Sequence, residues 1–569
     1  MAQSYDVVLR GGTVVDGSGG APFQADVAVR NGRIAEVGDV AGQGDQEFDV
    51  RGKLVTPGFI DLHTHYDGQI TWEHRLAPSS NHGVTTVVMG NCGVGFAPCR
   101  AGQQQLAIKL MEGVEDVPEA VMTAGVPWNW ETFPEYLDAL EQRHADVDFA
   151  AQIPHSPLRV YVMGERGAER APPTAAELAQ MRRLTAEAIR AGAVGVSTSR
   201  QLAHRFRNGR SAPSVLTEED EITALAEGLR DAGTGVFQII CNTARPPMEE
   251  FAIMRRLAQT CGRPLSFTLA SGAPNGREEI MQGVDQARAE GLPIRAQFFL
   301  RPVGMLFGLD LSYHPFALNP SYRPIEGLPL AKKVRALRDP ILRARLLGER
   351  PDDPNPFVLS MVRRIDNLFV LGDPPNYQPS PEESLTARAG ATGRDLREVI
   401  YDALLEEDGH AILYCPLGPL GENPRRLFEN DGAVLGLGDG GAHYGMICDA
   451  AYPTYLLTRL GRDAPPEEEI ALPQAIKALT RDPAETVGFL DRGLVRRGLR
   501  ADLNVIDYQA LRLHPPRVAR DLPAGGKRLS QKADGYVMTL LDGQVTYRDG
   551  IHTGALPGRL IRGQRPAAD

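Results

Sequence analysis

Between residues 58 and 439 short apolar segments alternate with helix-like stretches, and this rhythm narrows the possible architecture more than any other feature of the chain. The segments are 58–63, 85–91 (TTVVMGN), 148–154 (DFAAQIP), 194–199 (VGVSTS), 235–241 (GVFQIIC), 265–270 (LSFTLA), 293–299 (PIRAQFF) and 433–439 (AVLGLGD). Stretches such as PTAAELAQMRRLTAEAIRAG and EEDEITALAEGLRDAG, with apolar residues at the helical period, separate several of them. Eight strand-then-helix units predict an α/β fold, a (β/α)8 TIM-like barrel whose active site gathers at the carboxyl ends of the strands.

The two ends of the chain have a different texture. Residues 4–55 read as short strands punctuated by Gly and Asp turns, and the same texture returns in ADLNVIDYQALRL and DGYVMTLLDGQVTYRDG. Neither segment is long enough for a core of its own, so the two are expected to share one small β-sandwich domain. The expected division is 1–57 and 490–569 for that domain, with the catalytic barrel over 58–489. A stretch rich in Pro, Arg and Asp, about 300–395, interrupts the barrel rhythm. It is read as an irregular inserted lid, with an oligomer contact as the alternative.

Charge and composition exclude several partners. With 61 basic against 72 acidic residues the net charge is -11, which argues against nucleic acid and an anionic membrane surface and leaves a small-molecule substrate. The amino terminus enters a strand pattern with no basic head or apolar signal region, and no apolar run approaches membrane-spanning length, so a cytoplasmic protein is expected. A homo-oligomer is compatible with the sequence. Six cysteines lie scattered without a CxxC pair, which points to neither a disulfide scaffold nor a zinc ribbon.

The chemistry begins at GFIDLHTHYDGQ (58–69). Alternate strand residues share a face, so His63 and His65 project together while Thr64 points away. Spacing alone leaves open a metal-binding pair or two hydrogen-bonded polar residues at a strand end. The eighth strand ends in GLGDGGAH, and barrel closure brings Asp439 beside the histidines. Two imidazoles and a carboxylate suit a catalytic Zn2+ or similar divalent ion, with Asp439 moving the proton of an attacking water. An Asp before Gly-Gly is otherwise an ordinary turn former.

The stretches VTPGFIDLHTHYDGQ, TTVVMGNCGVGFAP, LMEGVEDVPEAV, GDGGAHYGMICDAAYPTYLLT and GLRADLNVIDYQALR together resemble the N-acyl-D-amino-acid deacylase (D-aminoacylase) branch of the amidohydrolase superfamily. The resemblance runs over nearly the whole chain. It implies a barrel with a β-sandwich from both termini, metal-dependent hydrolysis of a carbon-nitrogen bond, His63, His65 and Cys92 as metal ligands, and Asp439 as the metal-linked catalytic residue.

Departures from that pattern are specific. The family carries histidines in a T-H-x-R-N-E context on strand five and an S-H-H-K context on strand six. Here FQIICNTARP and SFTLASGAP put Gln238 and Thr268 near those positions, with Leu269 near the family's lysine. One ion per chain is therefore expected, with a second site in doubt. His155 and His204 follow strands and are candidate replacement ligands or substrate contacts, with Cys241 a weaker one. Arg159, Arg200, Arg205 and Arg301 are candidates for a substrate carboxylate. His443 can orient Asp439 or touch substrate, and Tyr161 and Tyr377 are further polar candidates.

The leading expectation is a hydrolase of an N-acyl, and by resemblance D-, amino acid or related carboxylate-bearing amide. The alternatives are a cyclic amide or imide hydrolase, another metal-assisted reaction on a carboxylated substrate, and a non-catalytic binding protein on the same scaffold.

Overall fold

The computed structural model describes residues 4–269 and 274–566 of the 569-residue chain. Eight parallel strands run in strict chain order: β1 (Phe59–Asp61), β2 (Val84–Met89), β3 (Asp148–Pro154), β4 (Gly195–Ser199), β5 (Val236–Ile240), β6 (Leu265–Thr268), β7 (Ile294–Phe298) and β8 (Ala433–Leu435). Each corresponds to one of the eight sequence segments. Helices such as Ala175–Ala191 and Glu219–Ala232 cover the outside, the first opened by a Thr174–Glu177 capping box and both ended by a left-handed glycine.

Closure falls just past the strand ends. Asp439 N donates to His63 O at 3.0 Å and His65 N donates to Gly440 O at 2.7 Å, which joins the eighth unit to the first. This approach requires glycine at 438, where a Cβ would lie 1.9 Å from Asp61 Oδ2. Inside the barrel, Ile60, Leu62, Val88, Ala150 and Val434 pack with Val487 and Phe489 as an apolar plug. Arg492, buried, seals the amino-terminal end by bonding Thr86 and Asp148. The floor of the molecule is thus committed to packing, and its chemistry is confined to the opposite end.

Both termini build one nine-stranded sheet. Leu54–Pro57 pairs antiparallel with Leu503–Ile506, setting Val55 opposite Val505, and Val7, Leu9, Val27, Val29 and Leu540 complete its core. The chain leaves this sheet at Pro57 and reaches β1 two residues later, so His63 hangs from a strand anchored in both layers.

The inserted stretch departs from expectation. It carries a three-stranded antiparallel sheet (Gly304–Phe307, Phe369–Val370, Leu413–Pro416), short helices, and a core that includes Phe307, Phe316, Leu346 and Ile400. The insertion therefore runs to about 416 and is not irregular. Its prolines mislead because Pro340 and Pro356 open helices behind the caps Asp339 and Asn355, where a missing N–H costs nothing. No helix among the described residues is long and apolar enough to cross a membrane.

Candidate metal centre

At the carboxyl end of β1, His63 and His65 point to one side, and Thr64 turns away to donate to Val88 O at 2.9 Å. Cys92 follows β2 and Asp439 follows β8. His63 Nε2 lies 3.3 Å from Cys92 Sγ and 3.5 Å from Asp439 Oδ1, and His65 Nε2 lies 3.6 Å from the same oxygen. Ligand atoms about 2.1 Å from a tetrahedral zinc lie roughly 3.4 Å apart, which these three distances match, and His63, His65 and Cys92 have donor atoms all within 4.8 Å of one another, a group that could hold an ion. Donor chemistry agrees: two imidazoles, a thiol and a carboxylate form a borderline-soft set that suits zinc.

The backbone is strained to gather these groups. Cys92, Asp439 and His443 all have left-handed φ, 57°, 48° and 52°, which side chains with a Cβ rarely adopt. Such conformations persist where surrounding contacts hold them and concentrate at functional sites.

Two supporting residues are absent from the sequence-level candidates. Gln297 of β7 accepts a hydrogen bond from His63 Nδ1 at 2.9 Å and donates to Ser266 Oγ at 2.7 Å. Its amide nitrogen is occupied by Ser266, so its oxygen faces His63 and the proton sits on Nδ1, leaving the Nε2 lone pair for a metal. Glu115, buried at the end of helix Gln104–Glu115, places one oxygen 3.6 Å from His65 Nδ1 and the other 3.5 Å from His443 Nε2. Its signal lay in LMEGVEDVPEAV, a stretch that carried the resemblance and was assigned no role. Gln297 had only its inward register on a barrel strand.

Electrostatics call for a cation. Burial pushes Glu115 up to about 7, and burial pushes the Cys92 thiol up to about 12. Burial also works against an ionised Asp439, yet His65, His63 and His443 hold it below the ordinary carboxylate range. Burial opposes charge on His65, but Glu115 and Asp439 overcome it and raise its pKa well above the usual value. His63 goes the other way, pushed by burial down to about 4. A proton on His65 is thus the positive charge these carboxylates collect, and a divalent ion competes for the same position.

The remaining candidates divide. His204 and His443 line a cleft of about 270 Å3 with Asp439, and each has an Nδ1 without a hydrogen-bond partner among the described residues. Arg205 borders the same cleft. His155, Arg159 and Arg200 do not reach it. His155 is fully buried between Thr198 Oγ1 and Glu221, each at 2.8 Å, and Arg159 also pairs with Glu221. Arg200 is held bidentately by Glu250 at 2.9 and 3.2 Å. These partners come from later helices that complete internal ion pairs, which leaves none of the three free for a metal or substrate. Arg301 pairs with Asp449 and stacks 3.6 Å from the Tyr377 ring, and Tyr161 bonds Glu131 at 3.3 Å. Gln238 and Thr268 are the opposite case: both Gln238 amide atoms and Thr268 Oγ1 are buried with no partner among the described residues. Cys241 lies against Met254, its Sγ 3.7 Å from the thioether.

A parallel α/β barrel with imidazole, thiol and carboxylate donors at the ends of its first, second and eighth strands defines a class, the metal-binding barrels built for hydrolysis. The chain belongs to the amidohydrolase family, since the model described as "Amidohydrolase family" matches residues 46–547. An N-acyl-D-aspartate deacylase of Alcaligenes xylosoxydans xylosoxydans is 28% identical over 516 residues, covering 88% of this chain and 86% of that protein. An uncharacterized protein of Mycobacterium tuberculosis H37Rv is 28% identical over 550 residues, 89% of this chain and 85% of its own length. The crystal structure of an N-acyl-D-glutamate deacylase from Bordetella bronchiseptica, complexed with zinc and a phosphonate inhibitor, superposes with a TM-score of 0.64. At 22% identity, over 98% of this chain and 100% of that one, the likeness is one of fold.

Proposed function

We propose that the protein hydrolyses the carbon-nitrogen bond of an N-acyl amino acid, with one divalent ion held by His63, His65, Cys92 and Asp439. The observation that carries this reading is the convergence of His63, His65 and Cys92, whose donor atoms all lie within 4.8 Å of one another, with Asp439 Oδ1 3.5 and 3.6 Å from the two imidazoles beside a cleft. The N-acyl-D-aspartate deacylase relative supports the substrate class and its D configuration. A divalent ion at this position supplies Lewis acidity for a carbonyl and makes water acidic near neutral pH. The chain's own groups do the rest. Gln297 holds His63 in the ligating tautomer, Glu115 places a carboxylate 3.6 Å from His65 Nδ1, and Asp439 takes the proton of the attacking water and delivers it to the leaving nitrogen. His443, its Nε2 3.5 Å from Glu115, lines the cleft with Asp439 and serves as a substrate or positioning contact there.

Zinc-reconstituted protein assayed on N-acyl-D-amino acids, their L enantiomers and cyclic amides tests the reading. Metal-dependent release of the amino acid is expected, with the D series preferred. Turnover of cyclic amides alone would move the protein to ring opening, a reading favoured by Leu269 where the relatives' pattern has a lysine. Less than about 0.2 ion per chain after reconstitution would favour a non-catalytic scaffold over a tight site.

A further inference from the structure

Beside the metal cleft opens a larger cavity of about 630 Å3. Its walls are largely apolar, with Ile240 at the end of β5, Met254, Phe267, Ile280, Phe298 and Leu427, and Asn242, Thr243 and Thr268 are among its polar members. Ala203, Val303, Phe357 and Leu417 border both spaces, so the two are adjacent. Leu437, two residues before Asp439, forms part of the same wall.

Charges at the border of this cavity are already neutralised. Arg245 lies 3.0 Å from Glu249 and 3.5 Å from Glu250, and Arg277 lies 2.7 Å from Glu422. An unpaired charge is costly in such surroundings, so the cavity suits an uncharged group. The metal cleft is different. Arg205 donates only to the Leu202 and Gly209 carbonyls, and Arg207 only to the Tyr313 hydroxyl at 3.1 Å, and neither is ion-paired among the described residues. Arg207 is also exposed, and the carboxylates Glu112 and Asp116 that line the same cleft are not within ion-pair distance of it.

We infer that the substrate is amphipathic, an N-acyl amino acid whose carboxylate faces Arg207 and whose acyl group is a long apolar chain filling the larger cavity; this rests on the amide-hydrolase reading above. In such a molecule the carboxylate sits on the nitrogen side of the scissile bond and the acyl group on the carbonyl side. A carbonyl held at Asp439 therefore sends them in opposite directions, one to each space. Cavities of about 300–1,000 Å3 enclose whole small ligands, so one substituent here has room for a chain of roughly eight to ten carbons.

The test is calorimetric binding of N-acetyl-, N-hexanoyl- and N-decanoyl-D-leucine to the full-length protein held in chelator, with hydrolysis followed separately after zinc addition. Each buried methylene contributes up to about fourfold in affinity, so decanoyl is expected to bind at least about 100-fold tighter than acetyl after the cost of ordering the chain. Ile280→Trp and Leu427→Trp fill the cavity from separate walls. Each is expected to erase the chain-length difference while leaving acetyl binding unchanged, and circular dichroism checks that at least one folds. Equal affinities across the series, or a chain-length difference surviving in both folded variants, would overturn the inference. Hydrolysis of the acetyl compound without chain-length dependence would do so while leaving the amide-hydrolase reading intact. Chain-dependent binding without hydrolysis of any member supports the cavity and refutes that reading instead.

Discussion

Replacing Gln297 isolates the tautomer of His63 from every other property of the metal centre. The Gln297 oxygen accepts the Nδ1 proton at 2.9 Å and its nitrogen donates to Ser266 at 2.7 Å, both fully buried. Leucine at 297 keeps the volume and removes both bonds. His63 Nδ1–H then lacks its acceptor, and the proton can move to Nε2, the atom that faces Cys92 and Asp439. Leaving a buried donor unsatisfied costs about 1–3 kcal/mol, so zinc affinity should fall by roughly 5- to 150-fold. Gln297→Glu restores an acceptor opposite Nδ1 and should recover most of that loss. Competition with a chromophoric chelator measures the affinity, and thermal denaturation in chelator reports whether the apo fold is intact. Unchanged affinity in a folded Gln297→Leu protein would refute the argument, because it would mean the ligating tautomer is set without Gln297.

Three other outcomes follow from the geometry. Asp439→Asn should reduce amide turnover by at least about 100-fold with the fold retained, since an amide cannot accept the water proton; retained activity on the same substrate would assign that proton elsewhere. Glu115→Ala should weaken zinc binding by about 10- to 100-fold, because the carboxylate beside His65 Nδ1 is lost, and chelator competition reads this directly. Away from the metal, His82 is fully buried between Thr454 Oγ1 at 2.8 Å and Gln531 O at 3.1 Å, and burial pushes its pKa down to about 4. The unfolded chain therefore takes up this proton near pH 6.5 while the native one resists until about 4, so about 3 kcal/mol of stability present at neutral pH is lost as pH falls across that window. In His82→Gln the drop in urea midpoint between pH 7 and pH 4.5 should shrink, and an unchanged drop would sink the assignment.

The barrel was legible because each of its strands is an apolar run bounded by Gly, Pro or Asn, and because eight such runs alternate with helix-period stretches. His63 and His65 were legible for a related reason: a period of two is a local property. What stayed hidden depends on residues far apart in the chain. His155, Arg159 and Arg200 look like available polar groups until Glu221 and Glu250, 50 to 66 residues later, fold back and neutralise them. Glu115 was hidden for the converse reason, since a lone glutamate ending a helix has no spacing to give it away and acquires a role only when β1 and the β8 turn arrive beside it. The insertion was misjudged because proline signals a break in sequence and a beginning in structure.

The missing histidines at strands five and six now have a physical consequence. Gln238 stands in register between Ser197 and Ser266, a neutral amide with both atoms buried and unsatisfied among the described residues. A second divalent ion at this end of the barrel would find no imidazole or carboxylate from β5 or β6, only an amide and the Thr268 hydroxyl, and such neutral oxygens bind zinc weakly compared with His, Cys or Asp. Among the described residues, the carboxylates Glu115 and Asp439, with His65 between them, and Asp61, whose Oδ1 accepts from His63 N at 3.1 Å, gather on the β1 side. On the proposed reading, charge and ligand type agree in placing an ion at the His63–His65–Cys92–Asp439 end, and the other half of the barrel mouth, lined by Thr268, Phe298 and Leu437, would take the organic part of the substrate.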